Sequence, residues 1–396
     1  MFTDYAEARR LVVAQRRDWG RQTVPLADAG GRVLAEPLLT DRPQPPFDRV
    51  TMDGVAFDYA AYAAGQRQFS VAAVVAAGSV PPPLPDPAVC LEVMTGAVLP
   101  PGCTTVVRYE DIQRRGADVR LPDGLADGKN IHGAGSDAAA GQVLAPAGTL
   151  IGSGTVNLLA TCGYATVTVS RAPRTAVVAT GDELVAVDAT PQPHQIRMSN
   201  LYQLRYLLTT AGVTADLHHL RDDPAELRSR IAALLDDYDL LLFSGGVSKG
   251  KYDYLPSVLA ELGVDTIFHR VAQRPGKPLY FGTRGATLVF GLPGNPVSGL
   301  AGTLAYVGPL LRASYGMTDT GVTRELAADL TFRPPLTLFQ LCRIDPRTQA
   351  AHPLIGQGSG DATSMLRADG MLVLPTGRER FAAGERFAWL GAGGLL

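Results

Sequence analysis

DLLLFSGGVSKGKYDYLP, residues 239–256, sets a short apolar run against a glycine loop and a following amphipathic segment. Leu240, Leu241, Leu242 and Phe243 read as a strand buried on both faces, as in parallel sheets. The run breaks at Ser244-Gly245-Gly246, where the backbone is free to adopt positive φ and a ligand can approach closely. Ser248, Lys249, Gly250 and Lys251 extend a polar loop, and Asp253 places a carboxylate ahead of the apolar-periodic segment Tyr254 to Leu262. A strand, a glycine loop with hydroxyls and lysines, and a carboxylate before a helix suit a phosphate and its metal. By itself the same pattern also describes a plain turn, the commoner meaning of Gly-Gly after a strand.

The neighbouring sequence repeats the theme. Thr175–Thr180 reads as a buried strand ending in Gly181-Asp182-Glu183, and Leu201–Ala211 as a helix closed by Gly212. Val213–Leu220 reads as a strand, and Pro224–Leu235 as a helix capped by Asp222 or Asp223. Strands follow near Thr266–Val271, Leu279–Gly282 and Thr287–Phe290, then a long helix from Val297. This alternation predicts an open, mostly parallel α/β sheet. Ligands bind such sheets at the carboxyl ends of strands, where the loops ATGDE, HLRDD, FSGGVSKGKYD and FGLPGNP begin.

At 396 residues the chain exceeds one ordinary core, so about two to four domains are expected. We divide it into a discontinuous linker or dimerisation domain (1–42 and 141–172), a β-rich domain (43–140), the α/β domain (173–318) and a C-terminal β-barrel or sandwich (319–396). Within the second piece of the discontinuous domain, a helix is predicted with Ser153 or Thr155 as its cap and Gly163 closing it.

Bulk properties narrow the function. Hydrophobic content of 46% and charged content of 19% describe a folded soluble protein. A net charge of −2 and no basic tail argue against nucleic acid as a partner. The scattered Cys90, Cys103, Cys162 and Cys342 read as buried small hydrophobes in a reducing compartment. The opening MFTDYAEARRLVVAQRR reads as an amphipathic helix without a signal-peptide core, and runs such as Val71–Ala77 are too short to span a bilayer. A cytoplasmic protein is expected.

Glu183, the Asp222-Asp223 pair and Asp253 could converge on one sheet edge, and Mg²⁺ with phosphate needs few protein carboxylates. Helix capping explains Asp222, Asp223 and Asp253 equally well. Arg274 and Lys277 stand on a proline-stiffened RPGKP loop suited to an oxyanion, or to a solvated turn. Pro293 and Pro296 fix the backbone of LPGNPVS before Ser298. Met52-Asp53-Gly54 and Met94-Thr95-Gly96 read locally as β-turns. The six histidines show no metal spacing; His218 and His219 are adjacent on a strand and point to opposite faces. No nucleophile elbow, Walker-type lysine loop or dinucleotide fingerprint occurs.

As a set, PPFDRVTMDGVA, MTGAVLPPGCTTVV, ATGDEL, SNLYQL, SGGVSKGKYDY, RPGKPLYFG and GLPGNPVS resemble, in order and over essentially the whole chain, the MoeA family, which includes the gephyrin E domain. The resemblance implies a molybdopterin molybdenumtransferase. Such an enzyme inserts molybdate into adenylylated molybdopterin with Mg²⁺ assistance and releases AMP. It also implies an elongated homodimer of four-domain subunits, with molybdopterin adenylyltransferase and other cofactor-biosynthesis proteins as partners. Carried over by motif, the catalytic positions are Asp53, Thr95, Glu183 and Asp253, with metal ligation by Glu183, Asp222 and Asp253. Substrate binding falls to Ser244, Gly245, Gly246, Ser248, Arg274, Lys277, Pro293, Pro296 and Ser298. Because Asp53 and Thr95 lie far from the sheet in sequence, a site shared between subunits is expected; a fully active stable monomer would refute it.

Three departures stand out. The family's arginine-rich RRRGED stretch is NIHGAGSD at 130–137, Lys249 and Lys251 occupy small and acidic positions of the glycine loop, and MDGYA is MDGVA. A non-catalytic molybdopterin carrier or scaffold and a related nucleotide hydrolase are the rival readings.

Overall fold

The structure is a computed structural model that describes residues 2–248, 254–319 and 321–396. Lys249, Lys251 and Asp253 therefore lie outside the described residues. The chain forms two units, one of Met1–Glu36, Ala147–Val156 and Ala165–Leu396, the other of Pro37–Pro146 and Asn157–Tyr164.

In the larger unit, α1 (Tyr5–Ala14) begins at Asp4, whose carboxylate accepts from the Ala6 amide at 2.8 Å. Strand β1 (Arg21–Pro25) pairs antiparallel with β2 (Thr166–Ser170). The α/β layer follows. It comprises β3 (Thr175–Thr180), α2 (Ser199–Thr209), β4 (Ala215–Leu220), α3 (Pro224–Asp237), β5 (Leu240–Ser244), α4 (Leu255–Glu261), β6 (Asp265–His269), β7 (Gln273–Arg274), β8 (Tyr280–Arg284) and β9 (Thr287–Leu292). Helix α5 (Pro296–Gly302) continues through a π turn at Thr303–Val307 into α6 (Gly308–Ser314).

The main sheet runs β4-β3-β5-β9-β8-β6. Its first four strands are parallel, and at the other edge β8 runs antiparallel to both its neighbours, β9 and β6. Every residue of β3, β5 and β9 is buried, which is why these strands read as unbroken apolar runs. Leu240 and Leu242 pack beneath α1, α2, α5 and α6, while Leu241 and Phe243 pack beneath α3 and α4. The pleat divides one short sequence between two cores.

The C-terminal strands β10 (Thr323–Glu325), β11 (Thr337–Ile344), β12 (Ala351–Pro353), β13 (Gly370–Leu374) and β14 (Arg386–Gly391) form a second sheet in the same unit. β7 is its edge strand, beside β11. This pairing fastens the segment that carries Arg274 to the C-terminal sheet.

The smaller unit is built on six strands, ordered Thr105–Arg108, Gly54–Phe57, Val89–Val93, Gln68–Val75, Asp118–Arg120 and Gln113–Arg115. Apolar clusters around Phe57 and around Leu91 fill its interior. One local expectation fails: the helix at Ser153–Thr161 begins on Ser153 itself, so Thr155 lies inside its first turn and does not cap it. Gly163 does close that helix, with φ +80° and its amide on the Ala160 carbonyl at 3.1 Å. The four cysteines are buried free thiols. Burial pushes Cys90 up to about 11 and Cys103 and Cys342 up to about 12. No helix among the described residues is long and apolar enough to cross a membrane.

Candidate functional site

The loops after β3, β4, β5 and β9 leave the same sheet edge and line a cavity of about 340 Å³. Glu183, Asp222, Gly245, Gly246, Ser248 and Pro293 all face it. The glycine turn has φ +102° at Gly245 and +71° at Gly246. A Cβ on Gly245 would stand 3.0 Å from the Thr180 carbonyl oxygen and 3.1 Å from its hydroxyl, so both conformation and space require glycine.

Half-buried polar side chains hold these loops through carbonyl and hydroxyl oxygens. Asn200 Nδ2 donates to Ser244 Oγ at 3.0 Å and to the Gly294 carbonyl at 2.7 Å, tying two strand-end loops together. His219 Nε2 donates to the Gly181 carbonyl at 2.8 Å, and His269 Nε2 to the Val247 carbonyl at 2.9 Å. His218 instead lies 3.3 Å from the Tyr238 hydroxyl, so the adjacent histidines do serve opposite sides of the strand. Thr180 is 6% exposed, and its hydroxyl has no hydrogen-bond partner among the described residues.

The capping question resolves at α3. Asp223 Oδ1 accepts the Glu226 amide at 2.7 Å and is the cap, while Asp222 lines the cavity. The Glu183 carboxylate folds back over Gly181, where an added Cβ would lie 2.4 Å from Oε2. Among the described residues no three His, Cys, Asp or Glu side chains group as a metal site. A pair such as Glu183 and Asp222 nonetheless fits Mg²⁺, which commonly takes one or two carboxylates and completes its shell with water and substrate phosphate.

A larger cavity of about 720 Å³ adjoins the first, sharing Pro278, Pro293 and Asn295 with it. Arg274, Lys277 and the buried Ser298 line it. Gln273, 1% exposed, braces the loop from within: its Nε2 donates to the Gly276 carbonyl at 3.1 Å, and the Tyr306 hydroxyl donates to its Oε1. Lys277 Nζ lies 4.6 Å from the Phe2 ring. Pro296 is the first residue of α5, fixing its entry, and Asn295 Nδ2 reaches Ser359 Oγ at 2.8 Å.

Asp53 and Thr95 meet in the smaller unit. Asp53 Oδ1 accepts from the Thr95 amide at 2.6 Å and from its hydroxyl at 2.7 Å. Those two bonds, the amide's first, hold the Asp53 carboxyl below its ordinary value. Gly54 begins a strand where a Cβ would sit 1.9 Å from the Val107 carbonyl oxygen, so the glycine of MDG is a packing requirement. In the departing stretch at 130–137, Arg49 Nη2 donates to His132 Nδ1 at 3.1 Å, and His132 Nε2 then donates to Asp137 Oδ1 at 2.8 Å.

Asn200, His219, His269 and Gln273 are absent from the sequence-derived site. SNLYQL carried a signal for Asn200, whereas the histidines offered only the lack of metal spacing.

Fold and site together define a multidomain α/β protein with a strand-end cleft suited to phosphate and an adjoining cationic compartment. Residues 3–163 match the MoeA N-terminal region (domain I and II), 176–313 the probable molybdopterin binding domain, and 323–391 the MoeA C-terminal region (domain IV). A Synechocystis protein named molybdopterin molybdenumtransferase is 38% identical over 97% of this chain and 99% of its own length. One of the same name from Bacillus subtilis is 31% identical over 96% and 91%. A crystal structure of the molybdopterin biosynthesis MoeA protein from Pyrococcus horikoshii OT3 superposes with a TM-score of 0.84 at 25% identity, covering 98% of this chain and 99% of that one. The chain belongs to the MoeA family.

Proposed function

We infer that the protein is a molybdopterin molybdenumtransferase that inserts molybdate into adenylylated molybdopterin and releases AMP. The observation that carries this reading is the pair of adjoining compartments: a glycine-lined, carboxylate-bearing cleft beside one lined by Arg274, Lys277 and Ser298. The turn at Ser244–Gly246 and the serine at 248 would cradle the phosphates, with backbone groups preset by Asn200 and the histidines. Arg274, Lys277 and Ser298 would receive molybdate, a tetrahedral dianion that needs donors and cations. Glu183 and Asp222, with Asp253, would hold Mg²⁺, which when bound supplies charge neutralisation at the phosphoanhydride. A carboxylate of this set would orient the water that cuts the anhydride, so no protein nucleophile is needed.

The same reading assigns Asp53 and Thr95 to the site through assembly of a homodimer. It retains the four-segment division of the chain, a reducing cytoplasm and upstream partners that supply adenylylated molybdopterin. It also gives Lys249 and Lys251 the role of retuning charge beside Asp253.

Purified protein with adenylylated molybdopterin, Mg²⁺ and molybdate should release AMP in step with metal insertion. AMP release indifferent to molybdate would instead identify a hydrolase, and binding without release a scaffold. Asp253→Asn should cut AMP release strongly, and near-normal turnover would remove Asp253 from the site.

A further inference from the structure

A third cavity, about 390 Å³, lies in the same unit between the loop after α1, the end of β2 and the end of α6. It shares no residue with the family motifs quoted above. Arg16, Arg17, Arg21 and Arg171 line it, against the single carboxylate of Asp18. This concentration is local, because the whole chain carries a net charge of −2.

The walls are tied in place by backbone bonds. The Arg17 amide donates to Ser314 Oγ at 3.1 Å, fastening the loop after α1 to the end of α6. The Arg171 amide donates to the Gly20 carbonyl at 2.9 Å, and Arg171 Nε to the Trp19 carbonyl at 2.7 Å.

The guanidinium charge is incompletely matched. Arg16 has no side-chain hydrogen bond or ion pair among the described residues. Arg17 reaches only the neutral Gln15 amide oxygen, at 3.2 Å. Arg171 lies 3.9 Å from Asp239, a carboxylate already held by Arg174 at 3.0 Å. Arg21 pairs with Glu36 at 3.3 Å, but both are more than half exposed and the pair is weak. Trp19 also lines the cavity, and its indole N–H is buried with no acceptor among the described residues. A buried donor left unmatched, beside arginines lacking full counter-charge, calls for an acceptor-rich anion.

We propose that this cavity is a second anion site that binds a small phosphate- or pyrophosphate-bearing molecule, remote from the strand-end cleft. Guanidinium forks match phosphate oxygens in paired hydrogen bonds, and the cavity falls within the size range of small-molecule sites. The bland alternative is that the arginines merely offset the carbonyl end of α6.

The chain has two tryptophans, Trp19 and Trp389, so Trp389→Phe leaves Trp19 as a reporter inside the proposed site. Inorganic pyrophosphate added to that protein should shift Trp19 emission and saturate. Arg16→Glu and Arg21→Glu, both at exposed side chains, should each weaken that response about tenfold with the melting temperature nearly unchanged. Lys277→Ala, in the other compartment, should leave it intact, which separates this site from the proposed molybdate site. No saturable response, or a response lost in Lys277→Ala and kept in Arg16→Glu, would overturn the proposal. So would charge reversals that lower the melting temperature while pyrophosphate affinity stays constant, the outcome expected of helix-end compensation.

Discussion

The strand-end cleft and the Asp53–Thr95 pair are built on opposite principles. In the cleft, backbone conformation sets the shape: Gly245 and Gly246 turn with positive φ, and half-buried side chains such as Asn200 and His219 hold the loops by their carbonyls or hydroxyls. In the smaller unit, one exposed carboxylate is fixed by an amide and a hydroxyl from a single residue. The first arrangement presents rigid donors to a ligand and tolerates little change. The second keeps a charge ionised and oriented at the surface, where water can substitute for much of what is lost. Substitutions should therefore separate the regions by severity.

Gly245→Ala should have the largest effect. The new methyl forces a φ of +102° on an alanine and meets the Thr180 carbonyl at 3.0 Å. If the turn supplies preorganised donors, AMP release should fall by roughly 10²–10³-fold, the usual cost of a lost oxyanion donor. Wild-type turnover would break the comparison. Asn200→Ala comes next. It leaves Ser244 Oγ and the Gly294 carbonyl without a shared donor, at a cost of about 1–3 kcal/mol in chemical denaturation. Thr180→Val should move the other way. Its hydroxyl is buried without a partner among the described residues, so a near-isosteric methyl should raise stability by about 1 kcal/mol. A lower melting temperature in the valine variant would show that the hydroxyl is satisfied in the folded protein.

The legible parts of this architecture are those encoded by local pattern. Leu240–Ser244 and Thr175–Thr180 announce buried strands because every residue is apolar, or small enough to bury, and turn chemistry follows at once. The loops on one sheet edge follow from topology alone, since parallel strands all end on the same side. The supports were not legible. His219 and His269 act on carbonyls at Gly181 and Val247, and only the folded sheet brings those atoms within reach. Local pattern also misplaced the cap near Ser153: a hydroxyl before an apolar run marks a helix start only to within a residue or two. Asp222 and Asp223 were equivalent in sequence, and only their different positions relative to α3 separate a cap from a cavity-lining residue.

The smallest predicted effect is the most direct probe of the second region. Asp53 is held below its ordinary value of 3.8 by the Thr95 amide and then by the Thr95 hydroxyl. Thr95→Val removes only the hydroxyl, so carbon-detected NMR should find the Asp53 titration moving part of the way back towards 3.8. The sign of the linkage follows from that depression. A carboxyl whose folded pKa lies below its unfolded one stabilises the native state above the unfolded value, and the contribution fades as pH falls through the folded value. The melting-temperature difference between wild type and Thr95→Val should therefore be greatest at neutral pH and should shrink in acid below 3.8, as the carboxylate that the hydroxyl serves is protonated. A difference that stayed constant through that range would mean that Thr95 matters for packing and not for the charge on Asp53. The contrast between a backbone-built cleft and a charge-built pair would then fail at its second term.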